Sequence, residues 1–135
     1  MPLMTWKDDY SVNIKVIDLQ HKKLVDLLNQ IFDATHAGRG KEVVDKILND
    51  LISYTKVHFA TEEEFMKKHG YPAFPRHKAE HDTLTQQVIE FQREYQAGRS
   101  SLSVELMQFL RDWLQKHILG TDKQYTPFLN AKGVR

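Results

Sequence analysis

Seven side chains of metal-binding type lie on or beside the apolar faces of four separate helix-period segments, and this severely limits how the chain can fold. They are His21, then His58 and Glu62, then His77 and His81, then His117 and Asp122. Imidazole and carboxylate groups are costly to bury unless something binds them. The four faces must therefore converge on a shared ligand, and a metal pair accounts for all seven groups at once.

The segments are legible from their 3–4 alternation of apolar residues. The first runs from about Asp18 to Ala37, with Leu24, Leu27, Leu28, Ile31 and Phe32 as its stripe. Asp18 is its expected N-cap, and Gly38 and Gly40 end it. The second runs from about Lys41 to His69 along Val44, Ile47, Leu48, Leu51, Thr55, His58, Glu62 and Phe65. Gly70 stops it, and Pro72 and Pro75 mark the connection. The third, from about Pro75 to Ala97, carries His77, His81, Leu84, Val88, Phe91 and Tyr95, and Gly98 closes it. The fourth opens among Ser100, Ser101 and Ser103 as N-caps and continues through Met107, Leu110, Leu114 and His117. Gly120 interrupts it, and a short tail from Asp122 to Leu129 is broken by Pro127.

No segment alternates like a strand. Four helices with short connections predict an all-α, up-down-up-down four-helix bundle. Its 135 residues suit one domain, with residues 1–17 as an extended N-terminal arm and 18–129 as bundle and C-terminal tail. Trp6 and Tyr10 are expected to pack that arm across the bundle.

Composition narrows the functional classes. Apolar residues make up 41% and charged residues 27%, with a formal net charge of +1. That balance offers no attraction to nucleic acid or an anionic membrane. No apolar stretch approaches the roughly 20 residues that span a bilayer, and the opening residues do not read as a signal peptide. The absence of cysteine excludes disulfides, thiolate zinc sites, iron–sulfur clusters and c-type haem attachment. It fits a cytoplasmic location.

Residues four apart on a helix share a face, so His58 with Glu62 and His77 with His81 each point into one volume. His117 and Asp122 are five apart, which leaves them roughly 140° apart on a regular α-helix. Asp122 joins the set only if the helix bends or unwinds, and Gly120 is placed to permit that. A lone histidine on an apolar face is usually a hydrogen-bonded core residue, but five across four helices would leave many buried polar atoms to satisfy. His36 and His69 fall at helix ends and read as surface residues near the C-terminal dipole. Five imidazoles and two carboxylates are too many for one tetrahedral zinc and wrong for magnesium or calcium. They suit iron, copper, nickel or zinc. Shared between two metals, they leave the sites unequal, three histidines against two, with a vacancy on the second.

The chain resembles the hemerythrin family, in particular its free-standing bacterial branch, over nearly its whole length. The motifs are Ile17-Asp18-Leu19-Gln20-His21-Lys22-Lys23-Leu24, His58-Phe59-Ala60-Thr61-Glu62-Glu63, His77-x-x-x-His81 and His117-x-x-x-x-Asp122, preceded by Trp6 and Tyr10. The resemblance implies two non-haem iron ions with a bridging oxo or hydroxo group, binding dioxygen reversibly. It implies that His77, His81 and His117 hold the saturated iron, that His21 and His58 hold the one with the vacancy, and that Glu62 and Asp122 bridge them. One departure is Asn13, where relatives often carry glycine; asparagine also tolerates a left-handed backbone. Leu114, one turn before His117, is expected to cover the vacancy, with Phe59 and Ile118 adding to the wall.

The leading expectation is thus an oxygen carrier, store or delivery protein rather than an enzyme, with a protein that receives oxygen left open as a partner. Two other classes compete. A di-iron oxidase, peroxidase or nitric-oxide-linked enzyme would normally use more carboxylates than histidines. An oxygen or iron sensor would act through a partner that supplies its output.

Overall fold

The computed structural model describes residues 3–38, 41–98 and 104–135, with side chains from 107 onward in the last stretch. Four helices dominate: α1 (Lys15–His36), α2 (Lys41–His69), α3 (Phe74–Gln96) and α4 (Val104–Lys116). A π-helical turn, His117–Asp122, joins α4 to α5 (Lys123–Ala131). The described residues contain no strand. Helix α1 packs on α2, α2 on α3, and α4 returns to α1, which is the bundle that the periodicity predicts.

The core is built from the apolar stripes. Leu24, Leu28, Ile31, Leu48 and Met107 are buried among them. The turn after α2 shows how sequence sets a helix end. Gly70 adopts φ +71°, its N–H bonds the Lys67 carbonyl, and the Tyr71 N–H reaches back to Met66 at 2.9 Å. Only glycine adopts this left-handed position without strain, and the paired bonds satisfy carbonyls that the helix leaves open. The serines expected to cap α4, and Gly40, lie outside the described residues.

Two local expectations are corrected. Helix α1 begins at Lys15, so Asp18 is not its N-cap. Ile14 and Ile17 are fully buried, and their burial draws the chain into helix one turn early. Asp18 instead reaches backward, accepting hydrogen bonds from the Val12 N–H (2.8 Å) and the Ser11 hydroxyl. Between these contacts Asn13 takes φ +57°, the left-handed backbone that asparagine tolerates. The second correction is Pro127, which lies inside α5 rather than breaking the tail. Proline forfeits one backbone hydrogen bond, but Tyr125 and Leu129 on either side are wholly buried and hold the helix in place. The arm packs across the bundle, as expected, and is also anchored there by hydrogen bonds. Asn29 pairs with both backbone groups of Met4, and Thr126 donates to the Val12 carbonyl. Trp6 packs beside Tyr10 at a ring separation of 5.6 Å, and the Tyr10 hydroxyl accepts from Gln115.

Candidate metal centre

All seven expected side chains converge at one level of the bundle, each nearly or wholly buried. Helix α1 contributes His21, α2 contributes His58 and Glu62, and α3 contributes His77 and His81. His117 and Asp122 are the first and last residues of the π-helical turn. A π-turn closes over five residues rather than four, so it brings residues five apart onto one side. This meets the demand that the spacing makes. The means is a wider helical turn, not a kink at Gly120.

The ligand-type atoms fall into two overlapping groups. Glu62, His77, His81, His117 and Asp122 form one, and His21, His58, Glu62 and Asp122 form the other. The two carboxylates belong to both. Asp122 lies 2.9 Å from Nε2 of His77 and of His117, and its other oxygen lies 3.1 Å from Nε2 of His21. Glu62 lies 2.6 Å from Nε2 of His58 and 3.8 Å from Nε2 of His77 and His81.

These contacts are close but poorly satisfied. His21 Nε2, His77 Nε2, Glu62 Oε1 and both Asp122 oxygens are buried without a hydrogen bond. Orphaned buried atoms of this kind are rare and call for an explanation. All five are electron-pair donors facing one small volume, so cations fit the centre and an apolar ligand does not. Imidazole with carboxylate is the donor set of a transition metal.

Electrostatics separate the groups further. Burial pushes the Asp122 carboxyl up, but His117, with the His21 and His77 rings close beside it, holds it well below the usual carboxylate range. Burial and Asp122 push Glu62 up, and pairing with His58 outweighs them to lower it. Burial pulls His21 and His117 down, but Asp122 overcomes this and raises both. At His81 burial, aided by the neighbouring His117 and His77, outweighs the Glu62 and Asp122 charges and pushes it down to about 3.

A second ring of residues, not identified by the sequence reasoning, orients the first. The Tyr125 hydroxyl donates to Glu62 Oε2 at 2.7 Å, and its ring stacks on His77. Glu63 faces Nδ1 of His81 at 3.0 Å, Glu80 faces Nδ1 of His117 at 3.2 Å, and Gln20 faces Nδ1 of His58 at 2.7 Å. Carboxylates only accept, so Glu63 and Glu80 place the proton on Nδ1 and leave Nε2 for the centre. Glu63 and Glu80 adjoin Glu62 and His81 in sequence, a weak signal that a charged helix face also produces. Trp113 stacks on His117 with 4.5 Å between rings. His36 is exposed and His69 half-buried; each ends its helix and neither joins the centre.

A cavity of about 50 Å³ with mostly apolar walls abuts the centre. It meets His21, His58 and His117 but not His77 or His81, and its wall includes Phe59, Trp113, Leu114 and aliphatic side chains of all four helices. Ile118 is fully buried but does not line it. Ile118 follows His117 directly, so its side chain leaves the helix on a different side.

Fold and site together define a helical bundle with a buried histidine–carboxylate centre suited to metal binding. The sequence model of the hemerythrin HHE cation binding domain matches residues 12–129, and the chain belongs to the hemerythrin family. It is 39% identical over 132 residues to a bacteriohemerythrin of Methylococcus capsulatus, covering 97% of this chain and all of that one. It is 36% identical to a bacteriohemerythrin of Stenotrophomonas maltophilia, covering 97% of this chain and 84% of the relative. A crystal structure of wild-type hemerythrin superposes with a TM-score of 0.89 at 39% identity, covering 94% of this chain and 98% of that chain.

Proposed function

We propose that this chain, as a single domain, binds dioxygen reversibly at two non-haem iron ions with a solvent-derived oxygen bridge. His77, His81 and His117 would hold one ion, His21 and His58 the other, and Glu62 and Asp122 would bridge them. When bound, the ion pair supplies the electrons that dioxygen takes up and returns. Family membership supports the identity of metal and ligand. The observation that carries the reading is the cavity, which meets both histidines of the two-histidine group and only His117 of the other three.

The chain's own residues prepare that arrangement. Tyr125 donates to one oxygen of Glu62 and fixes the carboxylate plane. Gln20, Glu63 and Glu80 set the imidazole tautomers. The apolar wall has room for a diatomic molecule yet offers water few polar partners. Dryness favours a carrier, because water and protons promote irreversible oxidation of an oxygenated centre.

Five imidazoles against two carboxylates stabilise high iron oxidation states less than a carboxylate-rich site, so carrier, store or delivery protein is preferred to enzyme. Among the described residues no helix is long and apolar enough to cross a membrane. A cysteine-free chain of this kind suits the cytoplasm, where a protein receiving oxygen would be its natural partner. The test is an iron assay with optical spectra of the reduced protein, with and without oxygen. Two irons per chain and a visible band that appears with oxygen and vanishes under inert gas are expected. Rapid irreversible oxidation with turnover of an added substrate would overturn the carrier reading.

A further inference from the structure

The histidines of the two ligand groups are backed by different chemistry on their outer nitrogens. His81 Nδ1 faces the Glu63 carboxylate and His117 Nδ1 faces the Glu80 carboxylate. Both residues belong to the group with three histidines. On the other side His58 Nδ1 faces the neutral amide of Gln20. That amide is oriented by its own NH₂, which donates to the Thr61 hydroxyl at 3.2 Å, so its oxygen is the atom turned to His58. Thr61 is in turn fixed by donation to the Val57 carbonyl. His21 Nδ1 is buried with no hydrogen-bond partner.

A carboxylate accepting from Nδ1–H draws that proton outward and enriches the ring, making Nε2 a stronger donor to a metal. A stronger donor favours the ferric over the ferrous state. A neutral amide does this far less, and an unpartnered nitrogen not at all.

We propose that Glu63 and Glu80 are positioning residues that make the iron held by His77, His81 and His117 the easier of the two to oxidise, while Gln20 keeps the iron beside the cavity the harder. The inference rests on the di-iron reading above. It deepens that reading by dividing the labour: the three-histidine site, backed by carboxylates, would be oxidised first, and the two-histidine site, backed by a neutral amide, last. Each iron changes by one electron, exchanged in the test with an electrode. Glu63 should act more strongly than Glu80, because its side chain is 20% exposed against 39% and solvent screens the more exposed charge.

The experiment is spectroelectrochemical titration of iron-loaded protein. Glu63→Gln and Glu80→Gln keep an acceptor of the same shape and remove only the charge. Gln20→Glu adds a charge at the opposite ring. Glu64→Gln, at an exposed position next in sequence, controls for loss of a negative charge as such. The lower of the two one-electron potentials should rise in Glu63→Gln and, less, in Glu80→Gln. The upper potential should fall in Gln20→Glu, and Glu64→Gln should leave the spacing between them unchanged. If the Gln variants hold less iron, Gln20→Glu decides alone. An upper potential that does not fall in that variant overturns the inference, as do Gln variants that match Glu64→Gln. Fewer than two irons in the unsubstituted chain overturns the di-iron reading instead, so the two failures are separable.

Discussion

Nε2 of His117 lies 3.0 Å from Nε2 of His81, and the two rings have opposite proton affinities. His117 is raised, with Asp122 overcoming its burial, whereas burial pushes His81 down to about 3. In metal-free protein His117 is therefore the donor and His81 the acceptor. His21 is raised in the same way as His117.

The pH dependence of the metal-free chain follows from these directions. A histidine raised in the fold adds stability below its unfolded value of 6.5, and loses it as pH climbs through the folded value. His81 acts in reverse. Below 6.5 the unfolded chain takes up a proton that folded His81 refuses until about 3, so stability falls with pH across that interval. Denaturant melts of metal-free protein should peak near pH 6.5. Iron displaces the protons of His21 and His117, so loaded protein should not share the decline above that pH. A metal-free chain that gains stability from pH 6.5 to 9 would contradict the proton assignment.

Tyr125 provides a test that needs no metal. Its ring is wholly buried and its hydroxyl donates to buried Glu62. Tyr125→Phe keeps the packing and strands one carboxylate oxygen. The expected loss is about 1–3 kcal/mol in the metal-free state, the cost of a buried group left unpaired. Urea unfolding of both proteins measures it, and a change under about 0.5 kcal/mol, the range of ordinary surface substitutions, would show that water replaces the phenol.

How far the sequence determined this centre varies from residue to residue. His58 with Glu62 and His77 with His81 were legible because an α-helix has one fixed period. The pairing of His117 with Asp122 was legible only as a demand, since a π-turn has no local sequence signature. Asp18 was misplaced because its hydrogen bonds run backward to Ser11 and Val12, across a left-handed Asn13. Tyr125, Gln20, Glu63 and Glu80 were missed because their roles depend on side-chain contacts between helices, or across a turn of the bundle, that periodicity does not encode.

Gly120 turns that distinction into a prediction. The spacing gave it the role of a flexible break. In the fold it has no positive φ, and an added Cβ would meet nothing within 4 Å. Gly120→Ala should therefore keep the π-turn and stabilise the protein by about 0.4–1 kcal/mol, by restricting the unfolded chain. Thermal melts and iron retention check it. Loss of iron would mean that the turn needs glycine's freedom after all.

Leu114 lies one turn before His117 and lines the cavity together with His21 and His58. Its side chain leans toward the helix N-terminus, which places it over the space beside the centre. Truncation to alanine enlarges a cavity that already exists, so the stability cost should fall at the low end for a buried leucine, about 2 kcal/mol. The larger effect should be kinetic, because a wider and wetter pocket admits the water and protons that oxidise an oxygenated centre irreversibly. The control is Leu48→Ala, at a fully buried position on α2 that does not line the cavity. It should cost as much stability or more, with little change in oxygen kinetics. Decay of the oxygen-dependent visible band, followed at matched fractions folded, should be several-fold faster in Leu114→Ala than in Leu48→Ala. Equal decay in the two variants would make Leu114 a packing residue, and the barrier to water would then lie elsewhere in the wall.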